Sequence, residues 1–212
     1  MRELIRTPAS NRSLGTRKAI LGVGINDAEY MTDPRDKDGK QTTRCPHYQT
    51  WKSMLERCYS DKYQQRQPTY IGCSVSEEWH VFSAFLAWNE KQEWEGMCLD
   101  KDILIMGNKE YSPSTCCYVS GDINKFFSDS GAARGDLPLG VSLFKGKYKV
   151  SIRIASKRKH LGYFELTDLE GAVSAYKVAK LARAYVVAED ITDEQVKAAF
   201  IDQAICRFGT QL

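Results

Sequence analysis

Two oxygen-bearing side chains, Asp100 and Asn124, have the type and placement to hold a cation. Met97 to Ile103 alternates apolar and polar residues and ends at the acidic run Asp100-Lys101-Asp102. A polar loop with Gly107, Asn108 and Ser112-Pro113 follows. Cys116 to Val119 is short, apolar and β-prone. Ser120-Gly121-Asp122 then opens a helix that carries Ile123, Asn124, Phe126 and Phe127, with Ser120 or Asp122 as its N-cap. This order puts Asp100 at the end of a strand and Asn124 on the first turn of a helix, where both can face one ion. Mg²⁺ suits such a pair, because it is usually held by one or two protein oxygens together with waters and substrate phosphate oxygens. A plain β-hairpin and helix of the core gives the same pattern, with Asp100 and Asp102 as solvated strand ends and Asn124 as a cap or surface residue.

The stretch resembles the HNH, or His-Me finger, nuclease motif, in the form common in phage and intron-encoded members. In that family a ββα unit holds one divalent metal against a scissile phosphate. Leu99-Asp100-Lys101-Asp102 stands where the family's first pair belongs, and Thr115-Cys116-Cys117-Tyr118-Val119-Ser120 where its second strand belongs. Asn124 falls in register as the final residue. The resemblance implies Asp100 and Asn124 as ligands of one Mg²⁺ or Mn²⁺. The chain departs from the pattern at two positions: Lys101 replaces the general-base His, and Thr115 the middle Asn. A lysine is protonated at pH 7 unless burial lowers its pKa. Lys101, or His80 brought close by the fold, is therefore expected to orient or deprotonate water, or Lys101 to stabilise phosphorane charge. Asn108 or Thr115 would hold that group in place.

The chain around this unit has 212 residues, of which 27% are charged and 42% hydrophobic, values ordinary for a soluble globular protein. No apolar run approaches the ~20 residues that span a bilayer, so no membrane partner is expected. The basic beginning lacks an apolar central region and does not read as a secretory signal. The seven cysteines are irregularly spaced with no CxxC pair, which fits reduced thiols and a cytoplasmic location, that of the host cell if the chain is phage-encoded. Cys45, Cys58 and Cys73, with Cys116 or Cys117 as a fourth ligand, give a structural Zn²⁺ alternative, but their spacing fits buried thiols better. Residues 1–44 read as a tail and an exposed loop, with Ile20 to Ile25 as one short strand. Tyr48, Trp51, Met54, Leu55 and Cys58 have helical spacing. Trp79 to Trp88 is expected as a second helix with Ser76 as N-cap, after a loop from Gln65 to Cys73.

Charge is unevenly spread. From Arg134 to His160 the basic residues are Arg134, Lys145, Lys147, Lys149, Arg153, Lys157, Arg158 and Lys159, against Asp136 alone; beyond Glu165 the balance turns acidic. A face of single sign suggests a polyanion partner. Tyr148, Val150, Ile152 and Ile154 point one way on a strand, and Lys147, Lys149, Ser151 and Arg153 the other. Ala172, Ala175, Tyr176 and Ala179 form a small-residue helical face able to sit closely on a sheet.

With Leu139-Gly140-Val141, Lys159-His160-Leu161-Gly162-Tyr163-Phe164 and Gly171 to Tyr176, this region resembles the APETALA-type (plant ethylene-response-factor) DNA-binding domain. The resemblance implies three antiparallel strands and one helix, with double-stranded DNA as partner. Arg153 and Arg158 match the family's sheet arginines, while Ser142 stands where an arginine is usual and His160 where a tryptophan is. Ser142, Lys145, Lys147, Lys149, Ser151, Arg153, Lys157, Arg158, Lys159 and His160 are the expected DNA-facing set.

The expected fold is thus α+β: an HNH-like ββα-metal unit with flanking helices in residues 45–130 (ββα core 97–127), then a three-stranded antiparallel sheet packed on a helix in 135–188, and a C-terminal helix in 189–212. The expected function is that of a phage homing-type or nicking endonuclease dependent on Mg²⁺ or Mn²⁺. The alternative is a catalytically inactive HNH-like DNA-binding protein acting as a phage regulator or host-takeover factor.

Overall fold

The indole of Trp51 sits at the centre of the N-terminal half, fully buried, its Nε1 donating to the carbonyl of Trp79 at 2.7 Å. The computed structural model describes residues 6–42, 44–128, 136–154 and 157–209. It is mixed α+β and divides into two compact units, Met1–Tyr118 and Val119–Leu212.

In the first unit a short helix, α1 (Asn11–Gly15), is capped by the Ser10 hydroxyl. The stretch that reads from sequence as a tail is held here: the Arg17 guanidinium donates to the carbonyls of Asn26, Ala28 and Tyr30. Ile20 to Ile25 forms a tight turn in place of a strand. Ile20 and Gly24 exchange backbone hydrogen bonds at 2.8 and 2.9 Å, and Leu21 and Gly22 take positive φ. A Cβ on Gly24 would strike the buried Leu55 and Trp51 side chains.

Helix α2 (Pro46–Tyr59) starts with Pro at its first turn, where the missing N–H costs no bond. It buries Trp51, Met54, Leu55 and Cys58 on one face, as their spacing predicts. These pack in one cluster with Cys73, Val75, Trp79, Phe82, Phe85 and Tyr111. The helix α3 (Asp61–Arg66) and a 3₁₀ turn at Pro68–Tyr70 lead into strand β1 (Ser74–Val75). The single helix expected from Trp79 to Trp88 is broken. Residues Glu77–His80 form a 3₁₀ turn, Val81 is extended, and α4 spans Phe82–Asn89. The cause lies far back in the chain. Ile25 donates to the His80 carbonyl and accepts from Phe82 N, so these two groups are diverted from helical pairing. Ser76 makes no side-chain cap bond.

Strand β2 (Cys98–Asp100) pairs with β4 (Cys117–Val119), and β3 (Glu110–Tyr111) pairs in parallel with β1. Strand β2 is shorter than the alternation from Met97 to Ile103 predicts. The Asp100 carboxylate accepts from the backbone N–H of Asp102 and Ile103 at 2.7 and 2.8 Å, and this side-chain turn ends the strand.

In the second unit, Ser120 caps α5 (Gly121–Asn124) through Ile123 N. Strands β5 (Val141–Phe144), β6 (Lys147–Ile154) and β7 (Lys157–Phe164) form the expected antiparallel sheet in that order. The β5–β6 turn is Lys145-Gly146, both with positive φ, as a two-residue turn matching strand twist requires. The helix α6 (Leu169–Ala188), capped by Asp168, packs on this sheet and against α7 (Glu194–Phe208), capped by Asp193. Phe126 and Phe127 lie 5.1 Å, ring to ring, from Phe200 of α7. The Lys180 amine sits 3.7 Å above the Phe126 ring. Burial and the neighbouring Arg183 charge pull its pKa down to about 8.

Gly140 carries positive φ, and a Cβ there would fall inside the Tyr176 ring. Gly140→Ala should destabilise the second unit by about 3 kcal/mol, through overpacking and the left-handed backbone together, seen as a lowered urea midpoint. Lys180 predicts a pH effect. Its folded pKa lies below the unfolded value, so the unfolded chain binds the extra proton between about pH 8 and the ordinary lysine range. Stability should therefore rise with pH through that window, and Lys180→Met should remove the rise in melts recorded from pH 7 to 10.

Candidate functional site: a buried lysine loop and a basic sheet face

Lys101, Asn108 and Thr115 belong to one hydrogen-bonded loop. The Lys101 amine is only 5% exposed. It donates to Asp102 Oδ1 at 2.6 Å and to the Asn108 carbonyl at 2.8 Å. Asn108 returns the contact: its side-chain amide donates to the Lys101 carbonyl at 2.8 Å and to the Glu110 carbonyl at 2.6 Å, and its Oδ1 accepts from Glu110 N. The Thr115 hydroxyl donates to the same Glu110 carbonyl at 2.8 Å and accepts from Ser112 N at 3.1 Å. The Lys101 amine also lies 5.8 Å from the Tyr111 ring. Reciprocal side-chain bonds of this kind fix a turn-rich segment in one conformation.

Asp100 belongs to the first unit and Asn124 to the second. Asp100 Oδ1 accepts two backbone N–H groups. Its Oδ2 has no hydrogen-bond partner among the described residues. Burial raises the Asp100 pKa, against the two backbone bonds that lower it. Such a carboxylate, half-buried with a free oxygen, fits one ligand of a hard cation. Asn124 is half-buried on α5, and its amide makes no hydrogen bond among the described residues. His80 is held by the Val75 carbonyl at 3.0 Å and the Tyr59 hydroxyl at 3.4 Å.

The cysteines and His47 have other surroundings. Burial pushes the Cys58 and Cys116 thiols up to about 12. Among the described residues, no group of three or more His, Cys, Asp or Glu side chains is placed to hold a metal. His47 is buried with its Nδ1 2.5 Å from the Asn89 amide, and burial lowers its pKa.

The basic sheet has two faces, and register assigns the residues to them. Val150 and Ile152 are buried on the side that α6 covers, while Lys147, Lys149, Ser151 and Arg153 alternate outward. Directly paired residues share a face. Ser142 pairs with Lys149, Phe144 with Lys147, Tyr163 with Lys149, His160 with Ser151 and Arg158 with Arg153, so all of these stand on the outer face. Lys157 and Lys159 pair with Ile154 and Ile152 and stand on the opposite side, although both are exposed. Lys147 is tied to Glu165 at 2.6 Å. Among the described residues, Lys145, Lys149, Arg153 and Arg158 make no ion pair with an acidic side chain. Arg134, the first basic residue of the run, lies outside the described residues.

Sequence reasoning missed two residues of this face, Phe144 and Tyr163. They are 42% and 50% exposed, with ring centroids 5.9 Å apart and planes inclined by 29°. His160 lies 4.4 Å from Tyr163, and the Lys149 amine 5.1 Å from Phe144. Counting twos from Lys149 on its own strand does not reach them; pairing across the hairpins does.

No protein-family model, curated protein or solved structure matches the chain. Among the described residues, no helix is long and apolar enough to cross a membrane.

The burial of Lys101 gives a direct test of its role. Lys101→Met removes the donor to Asp102 and to the Asn108 carbonyl, and should cost about 2–4 kcal/mol in chemical unfolding, as loss of one partner in a buried charged network does. A melting temperature unchanged by the substitution would show that the lysine is not a structural element of the loop.

Proposed function

We propose that the chain is a DNA-binding protein that engages the phosphate backbone with the outer face of its three-stranded sheet. The observation that supports this best is the cluster Lys145, Lys149, Arg153 and Arg158. Four cations lie along the outer face of the sheet, from the β5–β6 turn to the β6–β7 end, without an acidic partner among the described residues, beside Ser142, Ser151 and His160 as further donors. Surface charges that serve only solubility usually alternate in sign. Double-stranded DNA is the first partner to test. A β-ribbon can enter a major groove, where arginine pairs with guanine, while lysines meet the phosphates along its edges.

A second reading, a phage homing-type or nicking endonuclease with an HNH-like ββα unit, is supported by the Asp100 carboxylate. Its free oxygen suits one ligand position of Mg²⁺ or Mn²⁺. The metal would supply positive charge to the scissile phosphate and the leaving 3′ oxygen. In that reading Lys101, Asn108 and Thr115 shape the loop that presents Asp100; the Lys101 amine, already engaged by two acceptors, positions and does not accept a proton. Without a strong base the same fold serves as a scaffold for a catalytically inactive DNA-binding regulator or host-takeover factor, and the engaged state of Lys101 favours this form.

Duplex affinity measured against salt should give a log–log slope of about −3 to −4, the value for about four phosphate contacts, and a double substitution of Arg153 and Arg158 by Ala should bring it to about half. A flat slope would remove the phosphate-binding reading. Supercoiled plasmid with Mg²⁺ or Mn²⁺, wild type beside Asp100→Ala and Asn124→Ala, separates the two forms: nicking abolished by both substitutions supports the endonuclease, and tight binding with intact plasmid supports the regulator. A rise in melting temperature with Mn²⁺ that Asp100→Asn removes reports metal binding independently of cleavage.

A further inference from the structure

Phe144 and Tyr163 are large aromatic side chains on a solvent-facing sheet surface, where burial gives them no reason to be. They come from the two outer strands and lean together across Lys149 of the middle strand. His160 extends the row on one side. The Lys145 and Lys149 amines lie over the Phe144 ring, 5.5 and 5.1 Å from its centroid, and Arg153 and Arg158 pair further along the same face. The result is an exposed aromatic pair with cations over and beside it, of which Lys147 is tied to Glu165.

A regular duplex has little use for such a pair, because its bases show only their edges in the grooves. Unpaired bases do, because each exposes a π-face that stacks on an aromatic ring whatever its sequence. The phosphates of the same strand would then run along the neighbouring lysines and arginines. An acidic protein or a lipid headgroup would meet the charges and leave the rings without a matching partner.

We propose that Phe144 and Tyr163 form a stacking platform for unpaired bases, so that this face takes single-stranded nucleic acid, or the opened part of a duplex, with Lys145, Lys149, Arg153 and Arg158 on its phosphates. This rests on the phosphate-binding reading above and specifies which form of nucleic acid that face prefers.

The test is fluorescence anisotropy with three labelled probes of about 12 nucleotides, within the usual site size of such grooves: oligo-dT, a base-free strand with the same phosphodiester backbone, and a blunt duplex. The full chain should bind oligo-dT at least about tenfold tighter than the base-free strand, and tighter than the duplex. Phe144→Ala or Tyr163→Ala should weaken oligo-dT binding by about five- to a hundred-fold, the range for losing one stacked base. Both should leave the base-free strand within about twofold, since no phosphate contact is removed. Phe144→Leu and Tyr163→Leu keep apolar bulk in the sheet and guard against misfolding, with circular dichroism melts alongside; they should show the same loss, and Tyr163→Phe should restore binding. Equal affinity for oligo-dT and the base-free strand would overturn the platform while leaving phosphate binding intact. So would a duplex preferred to the single strand, or variants that lower all three probes alike. Failure to bind any of the three would overturn the phosphate-binding reading as well.

Discussion

The register between β6 and β7 decides what the second unit can do. Lys149 faces Tyr163 and Val150 faces Gly162, but Ser151 faces His160: one residue, Leu161, is extra at that point. A bulge of this kind shifts every later pairing by one, and a shift by one exchanges the two faces of a strand. With the bulge, Arg158 and His160 stand on the outer face with Arg153, Ser151 and Tyr163. Without it Lys159 and Leu161 would stand there and Arg158 would turn toward the helix side. The composition of the outer face therefore depends on one irregularity in the ladder. Tyr176 seated over Gly140, and Val150 and Ile152 buried beneath α6, keep the inner face fixed while the outer one stays free.

Much of this was readable from residue order. The period-two alternation in Lys147–Ile154 and the small-residue face of Ala172, Ala175, Tyr176 and Ala179 point to a sheet on a helix. Trp51, Met54, Leu55 and Cys58 point to a buried helical face, and both elements are present. What was not readable depends on partners distant in sequence or on a side chain turning back on its own backbone. Ile25 interrupts the helix at Val81 across more than fifty positions. Asp100 ends its own strand. The bulge at Leu161 is marked in the sequence only by the neighbouring Gly162, which signals an irregularity but not its register, so Lys157 and Lys159 could not be told from Arg158 and His160 by counting.

The candidate site divides along the same line. The kinds of residue were visible: a carboxylate, a lysine, an asparagine and a threonine at intervals in one loop. Their mutual geometry was not. An exposed lysine and a lysine closed between Asp102 and the Asn108 carbonyl have the same letter in the sequence. Desolvation is a property of the surroundings, and the Tyr111 ring and the loop that bury this amine are set by the parallel pairing of β1 with β3. A single motif thus supports a metal-binding and a merely architectural interpretation, and burial is the physical quantity that separates them.

Lys180 places a titrating charge inside an apolar contact. Its amine lies over the Phe126 ring at 3.7 Å and near that of Phe208 at 5.9 Å, and burial there pulls its pKa down to about 8. A lysine with the ordinary value stays protonated across the whole neutral and mildly alkaline range. This one loses its charge within it, so the packing of α6 on the Phe126 and Phe208 rings changes from a cation over aromatic faces to a neutral amine among them as the solution turns alkaline.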